Sequence, residues 1–245
     1  MIALLTDFGA GSEYVGIMKG VIKGIAPDVE LIDFCNNVSP QDYREGAWIL
    51  REGFKFFPKK TVFLCVVDPG VGSERKEIAV KTKNYFFVGP DNGLMYTACK
   101  EDGIMEVREL RAPPSASKTF HGRDVFAKAA ARIAVGEFSE LGKKKSGMQK
   151  LEFKLDLRNR EGEIVRIDSF GNILTNLPPV AGKKSYVVQT ERQKMYVNFC
   201  ETYARAPPDA FFVVRGSSGA LEVSLKNGNA AEKLGVQSGE RIVIK

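Results

Sequence analysis

Residues 61–75 read TVFLCVVDPGVGSER, an apolar run followed at once by turn-forming residues. The run from Val62 to Val67 has no polar side chain, whereas a strand with one face in water alternates polar and apolar residues. Continuous apolar runs of this length are typical of strands that are covered on both faces in a parallel sheet. The stretch therefore predicts a buried strand whose end delivers Asp68 to a sheet edge that solvent or a ligand can reach.

The segments around this strand alternate between strand and helix patterns up to about residue 135. Strands are predicted at IALLT (2–6), VELIDF (29–34), EIAVKT (77–82), YFFVG (85–89) and IMEVREL (104–110). Helices are predicted from Ser12, with Val15, Met18, Ile22 and Ile25 on one face, from Ser39–Pro40 through Phe54, and at DVFAKAAARIAV (124–135). Such alternation predicts an open, mostly parallel α/β sheet with helices on both faces.

The pattern changes after Gly136. Residues 137–160 are rich in Lys, Glu, Ser and Gly, and we interpret them as a basic connector in which Lys143–Lys145 is solvated. Seven short strand-like runs follow: EIVRID, NILTNL, SYVVQT, KMYVNF, FFVVRG, LEVSLK and RIVIK. Short strands separated by turn residues predict a small β-barrel or sandwich. We therefore expect an α/β domain over residues 1–150, with its connector from about 137, and an all-β domain over 151–245.

Composition excludes several classes of protein. The chain has 245 residues, 44% of them hydrophobic and 27% charged, which suits a globular protein rather than a disordered one. No apolar run approaches the roughly 18–20 residues that span a bilayer, and an acid at position 7 argues against a signal peptide, so we expect a cytoplasmic protein. The net charge of +6 raises nucleic-acid binding as an alternative, but the basic residues are scattered.

The cysteines and the histidine limit metal chemistry. The four cysteines are far apart in the sequence and His121 is the only histidine, so we expect no metal site. Acids follow three of the predicted strands, in TDFG (6–9), DPGVGSER (68–75) and PDNG (90–93). GVGSERK lacks the Gly-Lys-Ser/Thr ending of a phosphate-binding loop. From the residues alone, Asp68, Arg75 and His121 remain candidates, and His121 fits a structural as well as a catalytic interpretation.

Six motifs in order along nearly the whole chain resemble the S-adenosylmethionine hydroxide adenosyltransferases, relatives of the bacterial fluorinase and chlorinase. They are TDFG, VVDPGVGSER, GPDNGL, TFHGRDVFA, IDSFGN and SSGALEVSLKNGNAA. The resemblance implies an α/β domain followed by a β-barrel. It also implies homotrimers, with active sites between the N-terminal domain of one subunit and the C-terminal domain of the next.

The implied reaction is attack of water on ribose C5′ of S-adenosylmethionine, giving adenosine and L-methionine without a cofactor. The family's Asp-Arg-His triad falls on Asp68, Arg75 and His121. The halogenating relatives have a tyrosine at the position of Asp68. They also have a hydroxyl residue where this chain has Val71 and an aromatic residue where it has Gln41. These departures favour water over a halide as the nucleophile.

The resemblance also assigns contacts to the substrate. Asp7 is expected to bind the ribose hydroxyls, Asp168 and Asn172 to contact the methionine part and the ribose edge, and Ser217, with Glu222, to contact the amino-acid end. Backbone groups at Asn229, Ala230 and Ala231 are expected to bind the adenine edge. Two alternatives within the same ligand chemistry are a chlorinase and a non-catalytic protein that binds S-adenosylmethionine or adenosine.

Overall fold

The computed structural model describes all residues, 1–245, and the chain divides into two compact units, Met1–Leu151 and Glu152–Lys245. Each unit has its own sheet and its own hydrophobic core. No helix combines the length and the apolar character that crossing a membrane requires.

The first unit contains a seven-stranded sheet. Its strands are β1 (Ile2–Thr6), β2 (Leu31–Cys35), β3 (Val62–Val66), β4 (Glu77–Thr82), β5 (Phe86–Pro90), β6 (Ile104–Glu109) and β7 (Lys143–Lys145). The order across the sheet is β2-β1-β3-β5-β4-β6-β7. The strands β2, β1, β3 and β5 run parallel to one another, and β4, β6 and β7 continue the sheet with antiparallel pairs. The predicted α/β class is confirmed, with a mixed sheet.

Helices cover this sheet on both faces. They are α1 (Glu13–Ile25), α2 (Tyr43–Gly53), α3 (Tyr96–Asp102) and α4 (Ala127–Ala134), which a wide π-helical turn at Gly122–Phe126 precedes. One core contains α1 and α4, and the other contains α2 and α3. Leu64 of β3 points into the first core, whereas Phe63 and Cys65 point into the second. Both faces of β3 are therefore buried, which explains the unbroken apolar run from Val62 to Val67.

Three local expectations in the first unit differ from the structure. Ser12 does cap α1, but Ile25 at its last position is 39% exposed. Helix α2 begins at Tyr43 rather than at Ser39, with Asp42 as its cap, because Gln41 adopts φ +65° and interrupts a helical path. Lys143–Lys145 form the edge strand β7 rather than a connector, although Lys143 and Lys144 are exposed to solvent as expected. Lysines on an edge strand deter pairing with other chains.

The second unit is a closed barrel, as predicted. Its seven strands are β8 (Glu161–Ile167), β9 (Ile173–Thr175), β10 (Ser185–Gln189), β11 (Lys194–Phe199), β12 (Phe211–Arg215), β13 (Leu221–Leu225) and β14 (Arg241–Ile244). They close in the order β10-β11-β12-β13-β9-β8-β14 around an apolar interior. Ala230 begins a short helix, α5 (Ala230–Leu234), which Asn229 caps.

Candidate active site

Parallel pairing places the ends of β1 and β3 side by side. Thr6 is in register with Val66, so Asp7, one residue after Thr6, and Asp68, two residues after Val66, emerge at the same edge of the sheet. This carboxyl edge is where open α/β sheets bind ligands. The Asp68 side chain is only 6% exposed, so its charge requires a partner.

Arg75 is that partner. The loop after Asp68 turns back on itself through the backbone bond from Val71 N–H to the Asp68 carbonyl and through the Ser73 hydroxyl, which donates to the Gly70 carbonyl. The guanidinium donates two hydrogen bonds to the Asp68 carboxylate, from Nε to Oδ1 at 3.0 Å and from Nη2 to Oδ2 at 2.5 Å. Paired bonds of this kind fix geometry as well as charge. The Phe126 ring lies 5.5 Å from the guanidinium carbon.

His121 lies against the same guanidinium. Its Nδ1 is 2.9 Å from Arg75 Nη2, and the residue is 8% exposed. Two features hold its loop. Gly72, at φ +78°, lets the Asp68 loop approach the Lys118 carbonyl so closely that a Cβ there would lie 2.5 Å from that oxygen. The Asp124 carboxylate, paired with Arg123, accepts the Ser117 N–H at 2.8 Å.

Gly122 packs closely against protein. It is buried, and an added Cβ would lie 3.1 Å from Met18 Sδ and 3.2 Å from the Phe120 ring. Its small size therefore lets the π-helical turn approach α1, and this contact sets the position of His121.

Asp7 belongs to the same edge. Its Oδ2 accepts the Gln41 N–H at 2.8 Å, which fixes the carboxylate at the end of β1. The neighbouring Phe8 ring meets the Phe120 ring edge-on at 6.0 Å between centroids, so the segments that carry Asp7 and His121 are in contact.

The second unit contains a cleft of about 600 Å³, a volume within the range of small-molecule sites. Its lining consists of Asp168, Phe170, Asn172, Tyr203, Phe212, Leu225, Lys226, Asn227 and Gly228. Asp168 shapes one wall, because its Oδ1 accepts the N–H groups of Phe170 and Asn172, both at 2.9 Å. Its Oδ2 accepts from Asn172 Nδ2 at 2.8 Å. The Phe170 ring is 78% exposed and stands at the edge of the cleft.

A buried carboxylate lies behind the cleft. Glu222 is 7% exposed and accepts a hydrogen bond from the Tyr203 hydroxyl. Burial raises the pKa of Glu222 above its ordinary value, and the negative charge of Asp168 adds to the effect. Burial likewise raises the pKa of the Tyr203 phenol, with Glu222 contributing. The hydroxyl of Tyr203 therefore stays protonated as the donor to this carboxylate.

Comparison with known proteins identifies the family. The model of the SAM hydroxide adenosyltransferase N-terminal domain matches residues 2–142, and that of the C-terminal domain matches residues 162–243. The chain belongs to this family. The (R)-S-adenosyl-L-methionine hydrolase of Thermus thermophilus is 36% identical to it, over 97% of this chain and 96% of the relative.

Two further relatives differ in how similar they are to this chain. The crystal structure of an uncharacterized conserved protein from Thermotoga maritima superposes with a TM-score of 0.92 at 35% identity, covering 100% of both chains. A fluorinase from Nocardia brasiliensis is more distant, at 26% identity over 72% of this chain and 71% of its own length. The hydrolases are thus nearer relatives than the halogenating enzyme, in agreement with the resemblance in the motifs.

The structure brings together some of the site residues predicted for this family member. Asp68, Arg75 and His121 are in contact, and Asp168 and Asn172 line the barrel cleft. Ser217 lies exposed on the turn before β13, and Asn229 serves as the cap of α5. Ala230 and Ala231 are buried, and the Ala231 N–H already donates to the Gly171 carbonyl at 3.0 Å.

Sequence reasoning missed Glu77. Its Oε1 lies 2.7 Å from Arg75 Nη1 and 2.9 Å from His121 Nδ1, so it contacts two members of the triad. The sequence position of Glu77 was the available signal for it. Glu77 begins β4 only two residues after Arg75, so it lies at the same edge of the sheet. Tyr203 was missed as well, since nothing in its surrounding sequence marks it as a partner of Glu222.

Proposed function

We propose that the cluster of Asp68, Arg75 and His121 activates water for the hydrolysis of (R)-S-adenosyl-L-methionine to adenosine and L-methionine. The observation that carries the proposal is the two-bond Arg75–Asp68 pair with His121 against it at the carboxyl edge of the sheet. Membership of the SAM hydroxide adenosyltransferase family supports the reaction, and the name of the Thermus thermophilus relative supports the (R) configuration at sulfur.

The chemistry explains why these residue types are needed. The substrate sulfonium leaves as a neutral thioether, so the leaving group requires no proton donor. Water is a weak nucleophile, because it must lose a proton as its oxygen forms the bond to C5′. A positioned base increases the rate of such a step by about 10²–10⁴-fold. The developing hydroxide and the sulfonium cancel each other's charge, which a dry, low-dielectric site favours.

Arg75 has two roles in this proposal. Its guanidinium fixes Asp68 through Nε and Nη2, and its positive charge stabilises the negative charge that grows on the attacking oxygen. Asp68 and His121 are the two groups that can accept the proton from water, since a carboxylate and a neutral imidazole both have a free lone pair.

Substrate contacts follow from the same proposal. In the barrel cleft Asp168 and Asn172 would contact the methionine part and the ribose edge, and Phe170, Tyr203 and Leu225 add apolar surface beside them. Asp7 would bind the ribose hydroxyls at the sheet edge. The remaining contacts assigned through the resemblance are the amino-acid end at Ser217 and Glu222 and the adenine edge at the backbone of Asn229, Ala230 and Ala231.

We further propose a homotrimer in which each active site joins the α/β domain of one subunit to the barrel of the next. The support is the resemblance set out from the motifs. In such an assembly the water-activating cluster and the barrel cleft belong to different copies of the chain. Light scattering on the purified protein should then give a mass of three subunits.

One incubation separates the candidate reactions. The protein is mixed with S-adenosylmethionine in ¹⁸O-water, with and without chloride, and the products are analysed by mass spectrometry. Adenosine that carries ¹⁸O, together with L-methionine and selective consumption of the (R) epimer, is the expected result. A chlorinated nucleoside would establish the halogenase instead, and bound but unchanged substrate would establish a binding protein.

A further inference from the structure

Glu77 is held in place at the centre of the cluster. As the first residue of β4 it pairs with Pro90 of β5, and its carbonyl accepts the Leu110 N–H at 2.8 Å. Its side chain is 13% exposed and turns toward Arg75 and His121. Rigid backbone on both sides therefore fixes a buried carboxylate against the imidazole.

The two groups that contact His121 Nδ1 require opposite protonation states of this nitrogen. Glu77 Oε1 at 2.9 Å is only an acceptor, so it requires a hydrogen on Nδ1. Arg75 Nη2, also at 2.9 Å, is only a donor and requires a lone pair there. Arg75 keeps its bonds to Asp68 and Glu77 whichever nitrogen of His121 carries the hydrogen, whereas the Glu77 carboxylate would be repelled by a bare Nδ1 lone pair. The arrangement with hydrogen on Nδ1 is thus the favoured one.

We propose that Glu77 is a positioning residue that keeps the proton on His121 Nδ1, so that the Nε2 lone pair accepts the proton of the attacking water. The inference rests on the proposed function. In this step the O–H bond of water breaks and its proton moves to Nε2. The oxygen's electron pair forms the bond to C5′, and the C5′–S electron pair stays on the sulfur of methionine. An imidazolium held by a carboxylate at Nδ1 is the arrangement known from Ser-His-Asp enzymes.

The charges of the cluster favour the same assignment. The negative charge of Asp68 is matched by Arg75, which binds both of its oxygens. Glu77 adds a second negative charge, which leaves the cluster one unit negative with His121 neutral. Proton transfer to His121 makes the cluster neutral. Without Glu77 the same transfer would leave a positive cluster beside the sulfonium, which costs more in a buried site.

The single histidine makes the test direct. In ¹⁵N-labelled protein at alkaline pH, where imidazole is neutral, the nitrogen shifts of His121 report which nitrogen carries the hydrogen. Wild-type protein should show the Nδ1–H tautomer. Glu77→Gln should shift the population toward Nε2–H and lower kcat by roughly 10²-fold with little change in KM.

Glu109→Gln is the matched control, because Glu109 is a carboxylate on the adjacent strand β6 with an ion pair to Lys76 and no contact with the cluster. It should keep both the tautomer and the rate. An Nε2–H tautomer in the wild-type protein would overturn the proposal even if the variant fails to fold. So would a Glu77→Gln protein that changes only one of the two readouts. If wild-type protein does not hydrolyse the substrate, the proposed function fails, while the tautomer still decides the role of Glu77.

Discussion

At the scale of single residues, Arg75 organises the site because its fork offers donors in three directions. Nε and Nη2 bind Asp68, Nη1 binds Glu77, and Nη2 also meets His121. A lysine could not make these contacts, since its ammonium is a single point charge on a flexible stem. Only the guanidinium sets the distances among three other side chains at once.

Replacing Asp68 or His121 by alanine tests their proposed roles. We expect kcat to fall by about 10²–10⁴-fold in either variant, because water loses its base or the group that orients it. Binding should change far less, since neither side chain needs to hold the substrate. Steady-state kinetics and calorimetric titration measure the two effects separately. Glu140→Ala is the control, because Glu140 is exposed and paired at the surface with Arg132. A near-normal rate in Asp68→Ala or His121→Ala would contradict the assignment.

The buried carboxylate of Glu222 gives a prediction about pH. Folding raises the pKa of Glu222. At pH values between the ordinary glutamate pKa and this raised pKa, the folded protein therefore binds more protons than the unfolded chain. Stability due to this group is therefore greatest at low pH and falls as the pH rises through the raised pKa. Glu222→Gln removes the buried charge. It should leave the Tm unchanged near pH 4 and raise it near pH 8, by roughly 2–4 °C if about 1 kcal/mol is recovered.

Calorimetric scans of the two proteins at both pH values measure this difference. Glu201→Gln is a suitable control, since Glu201 is exposed in the same unit and should give no pH-dependent gain. An equal Tm difference at pH 4 and pH 8 would show that burial of the charge is not the cause.

Single residues could be predicted only where a motif marked them. Asp68, Arg75 and His121 each stand in a recognisable motif, and the structure brings them together. Glu77 is one of 30 acidic residues and has no motif of its own. Its importance comes from a contact with His121, which is 44 residues further along the sequence and comes close to Glu77 only when the chain folds.

At the scale of elements, prediction succeeded where one pattern covered a whole segment. The apolar run of β3 predicted a strand buried on both faces, and each of its five residues is buried. Prediction was wrong where a local interaction competes with the pattern. Ile25 keeps the helical spacing but falls at the end of α1, where the buried position belongs to Ala26. Strand β7 is three lysines, and only its pairing with β6 makes it a strand.

Gly72→Ala tests how the Asp68 loop is joined to the His121 loop. The change should lower stability by about 1–2 kcal/mol through the left-handed backbone alone. It should also lower kcat, because the new Cβ would push against the Lys118 carbonyl and move the two loops apart. Thermal melting and steady-state kinetics measure the two effects.

Gly103→Ala is the matched control for Gly72→Ala. Gly103 has φ +90°, but a Cβ there would meet nothing within 4 Å. It should therefore lose stability and keep its rate. If both variants keep the wild-type kcat, the close approach at Gly72 does not position the site.

At the scale of the whole molecule, the change of periodicity after Gly136 predicted an all-β part after the α/β part, although β7 still belongs to the first sheet and the first unit ends at Leu151. Both fold types were predictable because each depends on a pattern repeated over many residues. The barrel cleft was not predictable in the same way. Its lining comes from Asp168, Tyr203 and Leu225, which belong to different segments and share no spacing.

The proposed sharing of active sites between subunits predicts complementation between two inactive variants. Asp68→Ala disrupts the water-activating cluster. Asp168→Ala removes the carboxylate that accepts two backbone N–H groups of the loop beside the cleft, so this loop is no longer held in place. In mixed trimers some sites combine an intact α/β domain from one variant with an intact barrel from the other. Each cyclic trimer that contains both variants has one such junction among its three sites, so about one third of the sites in these mixed trimers should be active.

The two variants are co-expressed with different tags, and the complexes that carry both tags are isolated and assayed. Each variant prepared alone is the control and should be inactive. Recovery requires that the two halves of a site come from different chains, since a site built within one chain would always contain one of the two substitutions. Mixed complexes as inactive as the separate variants would therefore contradict the shared site, even if light scattering confirmed a trimer.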